Sequence, residues 1–203
     1  MPARTPPQDA MPDLFGESAS ASVEVHRLFL ALLPDAATAG RMAAAAEAWR
    51  DTGQAAQVRW VKPARYHATL HFLGDHPTLP NDLVDAVEHA AGTVRRAPFL
   101  WTLDRATAFH GRQPPCILGS VSVPAALQAL WDAWALALAK AGLGRHLERR
   151  FTPHVTLGYS RSGMPAMPSI APIDWRVDGV ALVHSVVGQA DYRVLARWPL
   201  RTA

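Results

Sequence analysis

The chain has 203 residues, 49% of them hydrophobic and 18% charged, and a net charge of +3 with nine histidines counted as neutral. That composition belongs to a folded domain with a sizeable core, and no apolar run reaches the ~18–20 uncharged residues of a membrane helix. The mild positive charge suits an anionic substrate rather than wholesale coating of nucleic acid, and the single cysteine, Cys116, excludes an internal disulfide framework and a cysteine-rich zinc site and points to a reducing, cytoplasmic setting.

Residues 1–22 hold Pro2, Pro6, Pro7 and Pro12 among small polar residues, with Asp9, Asp13 and Glu17 interrupting any apolar stretch. They read as a disordered leader rather than a secretory signal, and one domain is expected over 23–203. Val25 to Leu33 predicts a buried strand ending at Pro34, and Asp35 caps a helix through the alanine-rich stretch to about Arg50. Val58 to Val61 is a brief strand. Pro63 precedes a second strand, Tyr66 to Leu73, which Gly74-Asp75 ends. Pro80-Asn81 open a helix to about Val94, Phe99 to Phe109 is extended, and Cys116 to Val123 is a strand with Cys116 in the core. Pro124 begins a helix to about Ala141, with Leu127, Leu130, Trp131, Trp134 and Leu138 at packing positions. Phe151 to Tyr159 is extended, 162–172 is a proline-rich loop, and strands follow at Ile173–Val177, Val180–Val187 and Tyr192–Pro199. This mixture, with closely spaced late strands, predicts an α+β fold rather than a doubly wound parallel sheet. No Gly-x-x-x-x-Gly-Lys or Gly-x-Gly-x-x-Gly phosphate device occurs.

One tetrapeptide occurs twice, as His67-Ala68-Thr69-Leu70 and His154-Val155-Thr156-Leu157, each within a segment read as a strand. In a strand, residues i and i+2 share a face. His67 and Thr69 therefore project together, as do His154 and Thr156, away from the apolar side that carries Ala68, Leu70, Val155 and Leu157. Two imidazoles with ordinary pKa values near ~6.5 form a general acid and a general base, and two hydroxyls can hold anionic oxygens, a set suited to displacement at phosphorus. His71 shares that face on a straight strand. The alternative, a metal held by His67 and His71, fails on spacing, because a strand separates their Cα atoms by about 13 Å.

These residues resemble the 2H phosphoesterases, named for two such His-x-Thr motifs, and within them the RNA 2′,3′-cyclic phosphodiesterases, also called 2′-5′ RNA ligases. The likeness extends to Arg27-Leu28-Phe29-Leu30-Ala31, Val58-Arg59-Trp60-Val61-Lys62-Pro63, the run His67 to Gly74, and Phe151-Thr152-Pro153 before the second motif. It departs at Tyr159, where the family often has arginine and where Arg161 is the candidate substitute. It departs also at Thr152, often basic, and at Phe109-His110, where Phe-Pro is common.

The resemblance implies two pseudo-symmetric lobes, each a mainly antiparallel sheet with helices outside, enclosing a central cleft. It implies hydrolysis of RNA 2′,3′-cyclic phosphate ends to 2′-phosphomonoesters, reversible as 2′-5′ ligation, with no cofactor or metal. His67 would be the proton donor and His154 the proton acceptor, with Thr69 and Thr156 on the non-bridging oxygens. Phe29, His71, Phe109, Tyr159 and Arg161 are the candidate substrate contacts. The expected partner is an RNA end or related nucleotide, and the expected state is a monomer with no obligate protein partner. Small cyclic nucleotides or 2′-5′ oligonucleotides are the alternative substrates, and RNA-end binding without catalysis the alternative class. Arg145, Arg149 and Arg150 form a basic turn that could steer RNA.

Overall fold

The computed structural model describes residues 24–53, 57–161 and 168–202; the leader and residues 162–167 lie outside the described residues. Strand β1 (His26–Leu32) leads into helix α1 (Ala36–Asp51). Asp35 caps that helix as expected, its carboxylate accepting the Thr38 amide at 2.6 Å, a device worth about 1 kcal/mol. Thr38, Met42, Ala46 and Trp49 form its buried stripe. Strand β2 (Val58–Trp60) and a 3₁₀ turn (Pro63–Arg65) precede β3 (Ala68–His76) and α2 (Asn81–Ala91). Then come β4 (Phe99–Leu103), β5 (Arg105–Ala108), β6 (Pro115–Gly119), α3 (Ala125–Lys140), β7 (Val155–Ser160), β8 (Ile173–Val177), β9 (Gly179–Val186) and β10 (Tyr192–Pro199).

Among the described residues all strand pairings are antiparallel, and the α+β architecture has two lobes. One is built on the sheet β10-β9-β1-β3, the other on β2-β7-β6-β5, with β4 and β8 as a separate ladder. Helix α1 packs on β7 and β8, and α3 on α2, β3 and β4. A shared core runs through both lobes, including Leu28, Leu30 and Leu32 of β1 and the fully buried Trp101, Trp134 and Trp175. Strand β1 also buries its other face, where Phe29 and Ala31 join Ala181 and Val183 in a second cluster. That explains its nearly unbroken apolar sequence.

The structure corrects several boundaries. Phe99 to Phe109 is two strands in different sheets, because at Asp104 the chain leaves β8 for β6, and the Asp104 carboxylate takes the Val121 amide at 2.8 Å. That contact also ends β6 at Gly119, short of Val123. β3 continues through Gly74 and Asp75, which stay paired with Leu28 and Arg27. Gly74 has φ +111°, a conformation that favours glycine. The second motif enters the ladder only at Val155, and α2 ends at Ala91 rather than Val94.

A histidine pair gives the first lobe an acid-sensitive seam. His26 Nδ1 and His184 Nε2 lie 2.9 Å apart with the rings stacked at 5.1 Å. Burial, then the nearby His26 and Arg193, lowers the His184 pKa. The unfolded chain therefore binds more protons than the fold as pH drops through about 6.5, and stability falls with it. Tm is expected to be constant above pH 7 and to decline between pH 6.5 and 5, with a smaller decline in His184→Asn; equal slopes in the two proteins would remove His184 from the effect.

Candidate active site

Both motif histidines sit one residue ahead of a strand, His67 before β3 and His154 before β7. Each is held in the same way. The His67 Nδ1–H donates to the Arg65 carbonyl at 2.8 Å, and the His154 Nδ1–H to the Thr152 carbonyl at 2.7 Å. In each case the acceptor lies two residues upstream. A carbonyl oxygen can only accept, so the proton is fixed on Nδ1 and Nε2 is left for chemistry. The 3₁₀ turn supplies the first carbonyl. The side chain of Arg65 anchors that turn to the β9–β10 connection through the Gln189 and Ala190 carbonyls, both at 3.2 Å.

The threonines follow on the strands, half-buried. Neither hydroxyl makes a hydrogen bond among the described residues. Immediately after each threonine the register slips. Thr69 faces Ala31 and His71 faces Leu30, so Leu70 is left over; Thr156 faces Ile117 and Gly158 faces Cys116, so Leu157 is left over. The leucine of each tetrapeptide is thus a β-bulge. Each bulged leucine's carbonyl is taken by a donor outside the ladder. The Trp131 indole N–H of α3 reaches Leu70 O at 2.9 Å, and the Val61 amide reaches Leu157 O at 2.8 Å.

The bulge overturns one expectation. His71 does not share the face of His67 and Thr69; the extra residue turns it into the core, 1% exposed, where its Nε2–H donates to the Trp131 carbonyl at 3.1 Å and its ring stacks on the indole. Phe72 takes the cleft side in its place. Beyond the matching slip at Leu157, Tyr159 holds the position on β7 that Phe72 holds on β3, and it is exposed. Each of these aromatic rings carries a guanidinium, Arg27 over Phe72 at 5.7 Å and Arg59 over Tyr159 at 5.1 Å.

Thr69 and His154, from different lobes, line one cavity of about 260 Å³ together with Phe72, Phe109, Trp131, Phe151 and Arg150. Phe29 stacks obliquely on His67 at 4.9 Å, and Phe109 meets His154 edge-on at 4.9 Å. Arg161 lies just past β7, its amide bonded to the Gln57 carbonyl, and neither it nor Tyr159 lines the cavity. Of the basic turn, Arg150 reaches the cavity wall. Cys116 is buried as expected. Phe72, Phe151 and Trp131 were not legible as site residues, since plain alternation puts Phe72 on the wrong face and helical spacing assigns Trp131 to packing. Among the described residues no three His, Cys, Asp or Glu side chains gather as metal ligands.

Burial pushes both motif imidazoles below their ordinary pKa. At His67 the bond to the Arg65 carbonyl opposes this, while the charges of Arg65 and His154 add to it. At His154 the bond to the Thr152 carbonyl and the charge of Glu148 both act upward. The surroundings of His154 thus include an anion, those of His67 a cation.

Each lobe presents an imidazole just ahead of a strand and a hydroxyl on that strand, and the two-lobed α+β fold is that of the 2H phosphoesterases. Residues 34–189 match the family model of the 2′-5′ RNA ligase superfamily, and the chain belongs to that superfamily. Among solved structures, it is similar to Escherichia coli LigT in apo form, with 28% identity, a TM-score of 0.69, and coverage of 88% of this chain and 99% of that one. It is similarly related to E. coli LigT complexed with 3′-AMP, with 26% identity, a TM-score of 0.67, and coverage of 87% and 98%. The protein TT0787 of Thermus thermophilus shares the fold at a TM-score of 0.71 and 24% identity, with coverage of 87% and 98%. No curated protein sequence matches significantly. Among the described residues no helix is long and apolar enough to cross a membrane.

Proposed function

We propose that the protein hydrolyses the 2′,3′-cyclic phosphate at RNA ends to a 2′-phosphomonoester without a metal. The observation that carries this reading is the duplicated half-site, in which each Nδ1 is held by an upstream carbonyl, each Nε2 is left for proton transfer, and each threonine hydroxyl is left to donate. His154 Nε2 takes a proton from water as the water oxygen attacks phosphorus. The P–O3′ bond breaks, and His67 Nε2 protonates the departing 3′ oxygen. Thr69 and Thr156 donate to the non-bridging oxygens, whose charge grows in the transition state. These roles follow the resemblance. The local charges of the ligand-free protein lean the other way, since Arg65 disfavours a protonated His67 and Glu148 favours a protonated His154. A bound phosphate anion would raise both pKa values together, so the choice of His67 as donor rests on the resemblance.

The test is an oligonucleotide ending in a 2′,3′-cyclic phosphate, assayed with EDTA present across pH 4.5–9. The kcat/KM profile is expected to be a bell centred below about 6.5, because both imidazoles of the free protein are depressed, and its limbs belong to the pair rather than to either residue. The kcat profile, which reports the complex, is expected at higher pH. Turnover that appears only on adding a divalent metal, or a 3′-phosphate product, would refute the mechanism. The small cavity favours a second reading, small cyclic nucleotides as substrates, which the same assay tests with nucleoside 2′,3′-cyclic monophosphates.

A further inference from the structure

The two half-sites are not held alike. Around His67 the β9–β10 connection builds a cradle, and Arg65 ties it in place. The Arg65 guanidinium donates from Nη1 to the Gln189 and Ala190 carbonyls, each at 3.2 Å, and from Nη2 to the buried Ser185 hydroxyl at 3.3 Å. It also lies over the ring of Tyr192, the first residue of β10, at 5.7 Å. Tyr192 in turn meets His67 edge-on at 5.9 Å and Phe29 edge-on at 6.4 Å. The backbone of the same arginine supplies the carbonyl that accepts the His67 Nδ1–H at 2.8 Å. At the second motif nothing matches this among the described residues. The carbonyl on His154 comes from Thr152, whose exposed side chain makes no hydrogen bond.

We propose that Arg65 is a positioning residue for His67, its guanidinium pinning the turn so that its own carbonyl holds Nδ1 and Nε2 stays turned to the substrate. The proposal rests on the phosphoesterase reading for its effect on turnover, and deepens it by naming what keeps one of the two histidines productive. An imidazole without a fixed partner exchanges its proton between the two ring nitrogens and is free to turn; a carbonyl held in place on Nδ1 stops both. That bond forms whether or not Nε2 carries a proton, so one contact orients the ring before and after proton transfer. A planar guanidinium with five donors can span two carbonyls and a hydroxyl at once. Among the described residues no carboxylate pairs with Arg65, so its charge stays beside the imidazole and adds to the lowering of the His67 pKa. Tyr66, 3% exposed, ties the next residue of the chain into the core. Loss of the Arg65 side chain should therefore loosen the turn without unfolding the protein.

The experiment compares the wild-type protein with Arg65→Met, which keeps an apolar stem and loses the donors. The variant is expected to lower kcat on adenosine 2′,3′-cyclic phosphate about tenfold or more with KM changed far less, because a small misplacement of a reacting group is costly. Nitrogen-15 NMR of the histidine-labelled protein, recorded above the pH at which the imidazoles titrate, supplies a readout that general loss of stability would not move. In the wild type His67 is expected as the Nδ1–H tautomer, and in Arg65→Met as a mixture of the two tautomers, while His154 stays Nδ1–H in both. Unchanged kcat, an unchanged His67 tautomer, or an equal change at His154 overturns the proposal. Should Arg65→Met fail to fold, Arg65→Lys, whose ammonium cannot span all three acceptors, is read in the same way with a smaller loss expected. Should the wild type not turn over the substrate, the phosphodiesterase reading fails, and the spectra decide the positioning claim by themselves. A tautomer mixture confined to His67 supports it, and identical spectra of wild type and variant end it.

Discussion

Replacing either His67 or His154 with alanine is expected to lower kcat for a cyclic-phosphate substrate by at least about a hundredfold, with KM changed far less. General acid and base catalysis commonly contribute 10²–10⁴-fold, and here each imidazole is proposed to move a proton that the other cannot reach. The loss should come without unfolding. Both side chains are half-buried and neither belongs to the main core, so the far-ultraviolet spectrum and Tm of each variant should stay close to those of the wild type. Because the two groups act in one step, the double variant should be hardly slower than the worse single one. A His67→Ala protein that retains near-normal kcat would remove that residue from the chemistry and leave His154 with another partner.

Gly158→Ala is expected to cost roughly 1–3 kcal/mol of stability, the usual scale for overpacking a close contact. In a domain of this length that lowers Tm by about 2–4 °C per kcal/mol. Gly158 lies where β7 passes β2. A Cβ there would stand 2.6 Å from Val58 Cγ1, 3.0 Å from the Arg59 carbonyl oxygen and 3.3 Å from the Trp60 Cα. Two of those three neighbours are backbone, and the third belongs to a stiff β-branched side chain, so the strands must separate for the methyl group to enter. The change lies two residues from Thr156 and one from the bulged Leu157. Activity should therefore fall with stability, and differential scanning calorimetry together with the cyclic-phosphate assay would show whether the two losses run in parallel. An unaltered Tm would mean that the β2–β7 spacing is softer than its geometry implies.

The tetrapeptides, the capped alanine-rich helix and the late strands could be read from residues alone, because each rests on local chemistry: an Asx cap, a period of two, a repeated motif. Their companions depended on contacts between distant segments. Asp104 sits inside what reads as one continuous extended run, and only its bond to the Val121 amide shows that the chain changes sheets there. His71 fails for a similar reason. Alternation along a straight strand puts it beside Thr69, and the extra residue that moves it is stabilised by an indole sixty-one positions further along the chain. No local pattern around Leu70 announces that partner.

Those clasped leucines bear on how the molecule can be divided. The carbonyl of the first is held by α3, which follows it after three intervening strands and a helix; that of the second is held by the amide of Val61, which comes long before it. Neither tetrapeptide brings its own clasp. The two half-sites repeat in shape, yet each borrows from chain far outside its own neighbourhood, so a break anywhere between Leu70 and Trp131 would separate Leu70 from the indole and Leu157 from the Val61 amide at a single stroke. Duplicated geometry has here become mutual dependence, because the donor that clasps each leucine is supplied by a distant stretch of the chain.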